Sequence, residues 1–252
     1  MPRLHLFVGR SSEIECIINT ENFSDGVGLD SSCFDFELED DAKVHLAYTD
    51  LSTASKQPVR LSAFRASLKR HSRFQAVQLT DTEQSRRDWR VVMAGAGAEA
   101  ELAGLWFLQD QKETHTHVVV EHQEPYTRSL QLFKGVLDDR AHASFQGKII
   151  VQQKALKTEA YQLNNNLVLS DQARVQSKPN LEIFADDVKA SHGCTVGQLD
   201  PEQLFYLKTR GLDERLARSM LIRGFCEEIV ARLKPSSLHH IAEKKLALFG
   251  AA

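Results

Sequence analysis

With 252 residues, 42% hydrophobic and 26% charged, the chain has an ordinary globular composition, which excludes collagen-like, disordered and low-complexity classes. A net charge of −3, from 31 basic and 34 acidic residues, supplies no field that would gather nucleic acid or an anionic membrane surface. No window approaches the roughly 20 apolar residues of a bilayer span, and the N-terminus lacks a basic-then-apolar leader, so the expected compartment is the cytosol.

Four cysteines, Cys16, Cys33, Cys194 and Cys226, are scattered without a Cys-x-x-Cys pair. No disulfide framework is expected, and any metal site has to be assembled in space. From Leu4 to about Phe184 the pattern is one of short alternating segments, such as Glu99-Ala-Glu-Leu-Ala-Gly-Leu-Trp-Phe-Leu108, in which successive residues point to opposite faces of a strand. The clearest is Arg140 to Gln152, where Ala141, Ala143, Phe145, Gly147, Ile149 and Val151 share one parity. Turn signals such as Asp138-Asp139, Ser170-Asp171 and Asp186-Asp187 recur with no helical stretch between them, so a doubly wound α/β sheet is not expected. A sandwich, a barrel and a β-solenoid remain. Asn164-Asn-Asn166 hints at the polar ladders of stacked turns, although no fixed repeat length is visible and a solenoid here needs irregular rungs.

Within this β-rich body, Asp35 to Asp41 is acidic but lacks the glycine and glutamate spacing of a calcium loop, and reads as a solvated strand and turn. Gly95-Ala-Gly97 misses the dinucleotide fingerprint and reads as a turn. His115 and His117 share a strand face, as paired zinc ligands can, but His122 has the opposite parity. The three are read as solvated strand histidines. No Gly-x-Ser-x-Gly elbow and no Walker loop is present.

The character changes at Asp200. Asp200-Pro-Glu-Gln203 combines an N-cap acid, proline at the first helical position and a capping-box glutamine, and Gly211 marks a stop. A second helix is expected from Asp213 to about Leu233 and a third from Ser237 to Phe249. On the second, Met220, Leu221, Ile222, Phe225, Cys226, Ile229 and Leu233 cover well over half the circumference, more than one packing partner would bury. The domain organisation expected is a β core over 1–199 and a helical domain over 200–252.

Ala185 to Gly197, at the junction, brings imidazole, thiol and acids together, and by composition it reads as a β-to-α connection or as a metal or nucleophile site. Asp186-Asp-Val-Lys-Ala-Ser-His-Gly-Cys-Thr-Val-Gly-Gln-Leu-Asp200, continued by Glu202-Gln-Leu-Phe-Tyr-Leu207 and Arg210-Gly211, closely resembles the signature of the SufB/SufD family of iron–sulfur cluster assembly proteins. Glu101-Leu-Ala-Gly-Leu105, Leu132-Phe-Lys-Gly-Val-Leu-Asp138, Phe145-Gln-Gly-Lys-Ile149, Gln162 to Ser170 and Lys178 to Ile183 extend the likeness. Within the family the chain is most similar to the SufD branch. Leu163 stands where SufB carries its scaffold cysteine, and Ser191-His192 where SufB reads His-Glu. It departs from SufD at Ala190, a cysteine in many members, and in lacking the helical N-terminal domain.

The resemblance implies a right-handed parallel β-helix closed by a C-terminal helical domain. It implies a non-catalytic scaffold subunit of a SufBCD complex, pairing with a SufB-like subunit through the β-helix core and with a SufC-like ATPase through the C-terminal helices. Strands near Gln162–Ser170 and Leu181–Ala185 are the expected SufB-facing edges. The cofactor implied is a nascent iron–sulfur cluster shared with SufB, with His192 as ligand. Cys194, two residues on, shares its direction in an extended strand and would replace the thiol missing at Ala190, unless Gly193 breaks the strand and leaves Cys194 a small buried hydrophobe. Other readings are a β-helical carbohydrate-active enzyme, which needs acids converging in an exposed groove, and a core that self-associates as a homodimer when alone.

Overall fold

A computed structural model describes residues 2–20, 28–51, 58–234 and 236–249. Among the described residues fourteen strands, β1 (Arg3–Val8), β2 (Glu13–Asn19), β3 (Leu29–Leu38), β4 (Lys43–Leu51), β5 (Val59–Leu68), β6 (Arg73–Asp81), β7 (Gln84–Met93), β8 (Glu99–Leu108), β9 (Glu113–His122), β10 (Arg128–Leu137), β11 (His142–Val151), β12 (Glu159–Val168), β13 (Arg174–Ile183) and β14 (Lys189–Gly197), precede three helices. The helices are α1 (Pro201–Thr209), α2 (Glu214–Val230) and α3 (Ser236–Phe249). The odd strands form one seven-stranded sheet and the even strands a second, every pairing parallel. The chain alternates between the sheets at each step, which makes it a parallel β-helix.

The rungs are irregular. Arg60 lies beside Ser85, 25 residues on, whereas His142 lies beside Arg174, 32 residues on. Length varies in the corners while the strands stay in register, so no fixed period shows in the sequence. One corner column is built alike in successive rungs: Ser11, Asp41, His71, Gly97, Tyr126 and Lys157 all take positive φ, and each donates its N–H to a carbonyl of the next corner, as Asp41 does to Arg70 at 2.9 Å. Gly95 is required in this column because a Cβ there would stand 2.1 Å from the backbone nitrogen of Arg70.

The inward faces of the sheets meet in a lumen packed solid, with Phe34, Phe64 and Trp89 stacked at 4.8 and 4.0 Å between ring centres. One lumen site is ionic. Asp50 accepts from Arg60 and Arg87, all three buried, and Arg87 also donates to Ser85 at 2.7 Å. The outer face of the odd-numbered sheet is solvated. Part of the outer face of the even-numbered sheet is covered by α2 and α3, whose Ile222, Cys226, Ile229, Leu238 and Leu246 pack on Val77, Leu105, Phe107, Leu132 and Val136. Lys134 pins α2 through the Phe225 carbonyl at 2.9 Å and Glu228 at 2.8 Å, and Lys245 of α3 pairs with Asp81.

The helices start as their caps dictate: Asp200 accepts from the Glu202 N–H and Asp213 from the Leu216 N–H, each at 2.8 Å. Two expectations need correction. Ala185–Gly197 is not merely a connection, because Lys189–Gly197 is the last rung. Gln162–Ser170 offers no free edge, because β12 is paired by β10 on one side and β14 on the other. Among the described residues the free edges at the C-terminal end of the solenoid belong to β13 and β14.

His122 is also not solvated. It is buried, with Nδ1 2.8 Å from the Thr127 hydroxyl and Nε2 2.9 Å from that of Ser129. Burial pushes its pKa down to about 4. The unfolded chain therefore takes up this proton near pH 6.5 and the folded chain only near 4, so the stability contribution is whole above pH 6.5 and is lost as pH falls toward 4. The shift is equivalent to about 3 kcal/mol. Urea unfolding at pH 7.5 and 4.5 should show His122→Gln losing about 2–3 kcal/mol less across that interval than the parent chain; equal losses would refute the assignment.

Candidate functional site

β14 pairs with β12 along its whole length, from Lys189 beside Glu159 to Gly197 beside Leu167. Gly193 does not break it; the glycine lies in register with Leu163, whose Cδ1 would be 3.1 Å from an added Cβ. On the outward face Thr195 donates to Asn165 Oδ1 at 2.9 Å. On the other face Ala190, His192 and Cys194 lie in register with Ala160, Gln162 and Asn164, whose side chains are buried in the lumen. Strand parity thus sets His192 and Cys194 on the lumenal side of the terminal rung. Among the described residues no further rung covers them, and both are exposed, while Ala190 packs against a small cluster of Ile149, Val151, Ala155, Ala160 and Ala185.

Cys194 is the exposed thiol; Cys16 is half-buried, and Cys33 and Cys226 are buried. Burial pushes Cys226 up to about 12, which makes it inert as a ligand or nucleophile. Among the described residues no three His, Cys, Asp or Glu side chains converge to hold a metal ion. His192 and Cys194 are the two side chains of ligand type that β14 exposes.

The other sequence candidates serve the wall. His115 and His117 share the outer face of β9 but have separate partners, Ser144 at 2.6 Å and Glu113 at 3.0 Å for the first and Asp88 at 3.2 Å for the second. The groove across the outer face of the even-numbered sheet contains Glu13, Glu99 and Glu101. Each of these acids is paired with a base: Glu13 with Lys43, Glu99 with Arg73 and Glu101 with Arg232.

A second exposed feature lies on the helices. None of α1 is buried, and Phe205 and Tyr206 are 69% and 55% exposed, with Leu216 and Met220 of α2 at 47% and 48%. α2 thus divides its apolar circumference: Ala217, Ile222, Cys226, Ile229 and Val230 face the body, and Leu216 and Met220 face solvent. No helix among the described residues is long and apolar enough to cross a membrane.

A family model for the SufBD core domain of the SUF system of iron–sulfur cluster assembly matches residues 1–225. The chain is 44% identical over 123 residues to the iron–sulfur cluster assembly protein SufD of Escherichia coli, covering 49% of this chain and 29% of that protein. It is 37% identical over 170 residues to an iron–sulfur cluster assembly SufBD family protein of Synechocystis, covering 67% and 38%. It is 29% identical over 245 residues to the chloroplastic protein ABCI7 of Arabidopsis thaliana, covering 92% and 49%. The match spans less than half the length of each of these relatives.

Proposed function

Since the chain belongs to the SufBD family of iron–sulfur cluster assembly, we propose that it acts as a SufD-like scaffold subunit, without turnover of its own, on which a nascent cluster is built and passed on. The observation that carries this reading is the exposed His192 and Cys194 on the lumenal side of the last rung, beside free strand edges. A SufB-like subunit that continues the sheets from β13 and β14 would seal the lumen mouth and bring its own ligands to these two. With no partner present, the same edges are available for self-pairing. The cluster is cargo in this scheme: His192 offers a neutral imidazole nitrogen and Cys194 a sulfur that ligates as the thiolate. The apolar surface of α1 and α2 is the seat for a SufC-like ATPase.

Co-expression with the cognate SufB-like and SufC-like subunits, followed by iron and sulfide measurement at matched protein levels, tests the site. His192→Ala should lose most of the cluster and Cys194→Ser a further part. Wild-type content in His192→Ala would remove the ligand role, and loss there with none in Cys194→Ser would leave histidine as this chain's sole ligand.

A further inference from the structure

Below the terminal rung, three amides line the inward face of β12: Gln162, Asn164 and Asn166, all buried. Gln162 Nε2 donates to Gln131 Oε1 of the preceding rung at 2.6 Å. Asn166 Nδ2 donates to Asn164 Oδ1 at 3.0 Å, and Asn164 Nδ2 to the Phe133 carbonyl at 3.2 Å. This arrangement leaves Gln162 Oε1 buried without a hydrogen-bond partner. Gln131 Nε2 and Asn166 Oδ1 of the same stack are likewise buried and unpaired, and buried amide groups are nearly always paired, so the stack has hydrogen-bonding capacity left to fill.

The side chain is held in place. Gln162 lies against Gly147 of the facing sheet, where an added Cβ would stand 2.1 Å from Nε2 and 2.7 Å from Oε1. The next rung places His192 in register with Gln162, so the two side chains share one face. A neutral imidazole has one N–H to give and one lone pair to keep. Cys194 stands differently, over Asn164, whose oxygen already accepts from Asn166.

We propose that Gln162 is a positioning residue: its Oε1 accepts the ring N–H of His192, fixes the tautomer and turns the unprotonated nitrogen toward the open end of the solenoid. The purpose of this contact rests on the reading of His192 as a cluster ligand, and metal-ligating histidines commonly have their second nitrogen held in this way by a carbonyl or carboxylate oxygen. The hydrogen bonding of the amide stack is compatible with it, because Gln162 spends its Nε2 on Gln131 and keeps Oε1 as an acceptor.

The test uses the full chain with 15N-labelled histidine, near pH 8 where free imidazoles are neutral. Long-range proton–nitrogen correlations report the tautomer, and the His192 signals are assigned by their loss in His192→Ala. One tautomer should dominate in the parent chain. Gln162→Met, of similar length but with no acceptor, should shift the ratio about fivefold toward that of a free imidazole, the effect of one neutral hydrogen bond. Gln162→Glu, which restores an acceptor oxygen, should restore the bias. An unchanged ratio in Gln162→Met overturns the proposal, as does a folded Gln162→Glu chain that fails to restore the bias. Cluster content separates this from the ligand reading: a Gln162-dependent tautomer with wild-type cluster in His192→Ala supports the contact and removes the ligand role alone.

Discussion

Asp50→Ala is expected to destabilise the protein by about 3–5 kcal/mol, because it leaves the guanidiniums of Arg60 and Arg87 facing each other in the lumen without their shared acceptor. Asp50 comes from the even-numbered sheet and the two arginines from the odd-numbered one, so the cluster clamps the two walls together. Burial raises the pKa of the Asp50 carboxyl, and the two guanidiniums oppose that rise. The ionic form is held by geometry: each arginine takes a separate carboxylate oxygen, Arg60 also reaches the Thr20 carbonyl at 3.3 Å, and Arg87 lies 5.6 Å from the centre of the Tyr48 ring. At about 2–4 °C per kcal/mol for a chain of this size, the melting temperature should fall by roughly 10 °C. Replacing all three residues by apolar ones of similar volume should recover much of the loss, since the one charge left without its partner is the part-exposed Asp30, 3.8 Å from Arg60. A drop of less than about 1 kcal/mol in the single variant would mean that water reaches the arginines.

That cluster was written in the sequence as a violation of pattern. In β5 the buried parity runs Arg60, Ser62, Phe64, Ala66, Leu68, and in β7 it runs Ser85, Arg87, Trp89, Val91, Met93. Arginine on the apolar parity is the signal, but only the fold reveals the common partner, because Asp50 lies 10 residues from one arginine and 37 from the other. The covered sheet is similar. Ala103, Leu105 and Phe107 have the outward parity and are nonetheless buried, since α2 and α3 return more than 100 residues later to cover them. Alternation identifies a strand but not what lies on its two faces.

The terminal rung was legible in composition and motif and obscure in position. Imidazole and thiol two residues apart are the side chains to which the proposed chemistry is assigned, and strand parity already gives them one direction. What local sequence does not contain is that β14 is the last rung, which turns a lumenal face into an exposed one. Gln162 gave no signal of its own, being one amide among several in a polar run. The role proposed for it rests on two facts of the fold, an oxygen left unpaired and a register that sets His192 beside it on the next rung.

Charged substitutions on the exposed helical surface should separate partner docking from folding. Phe205, Tyr206, Leu216 and Met220 are all exposed and none belongs to the packed core, so Phe205→Asp combined with Met220→Glu removes little packed surface and should leave the melting temperature within a few degrees of the parent. The same pair should weaken binding of the proposed SufC-like ATPase at least 30-fold. Loss of one aromatic anchor in a desolvated interface costs about 2 kcal/mol, equivalent to about that factor, and a charge placed there adds the cost of its own desolvation. Ile229→Asp on the opposite face of α2 is the control. Ile229 is fully buried against the sheet, so this change should unfold or detach the helices and lose binding and stability together. Titration calorimetry of the purified partner against the three chains distinguishes the cases. Undiminished affinity in the Phe205→Asp, Met220→Glu chain would place the ATPase elsewhere, and a stability loss as large as that of Ile229→Asp would show that these side chains pack on the body.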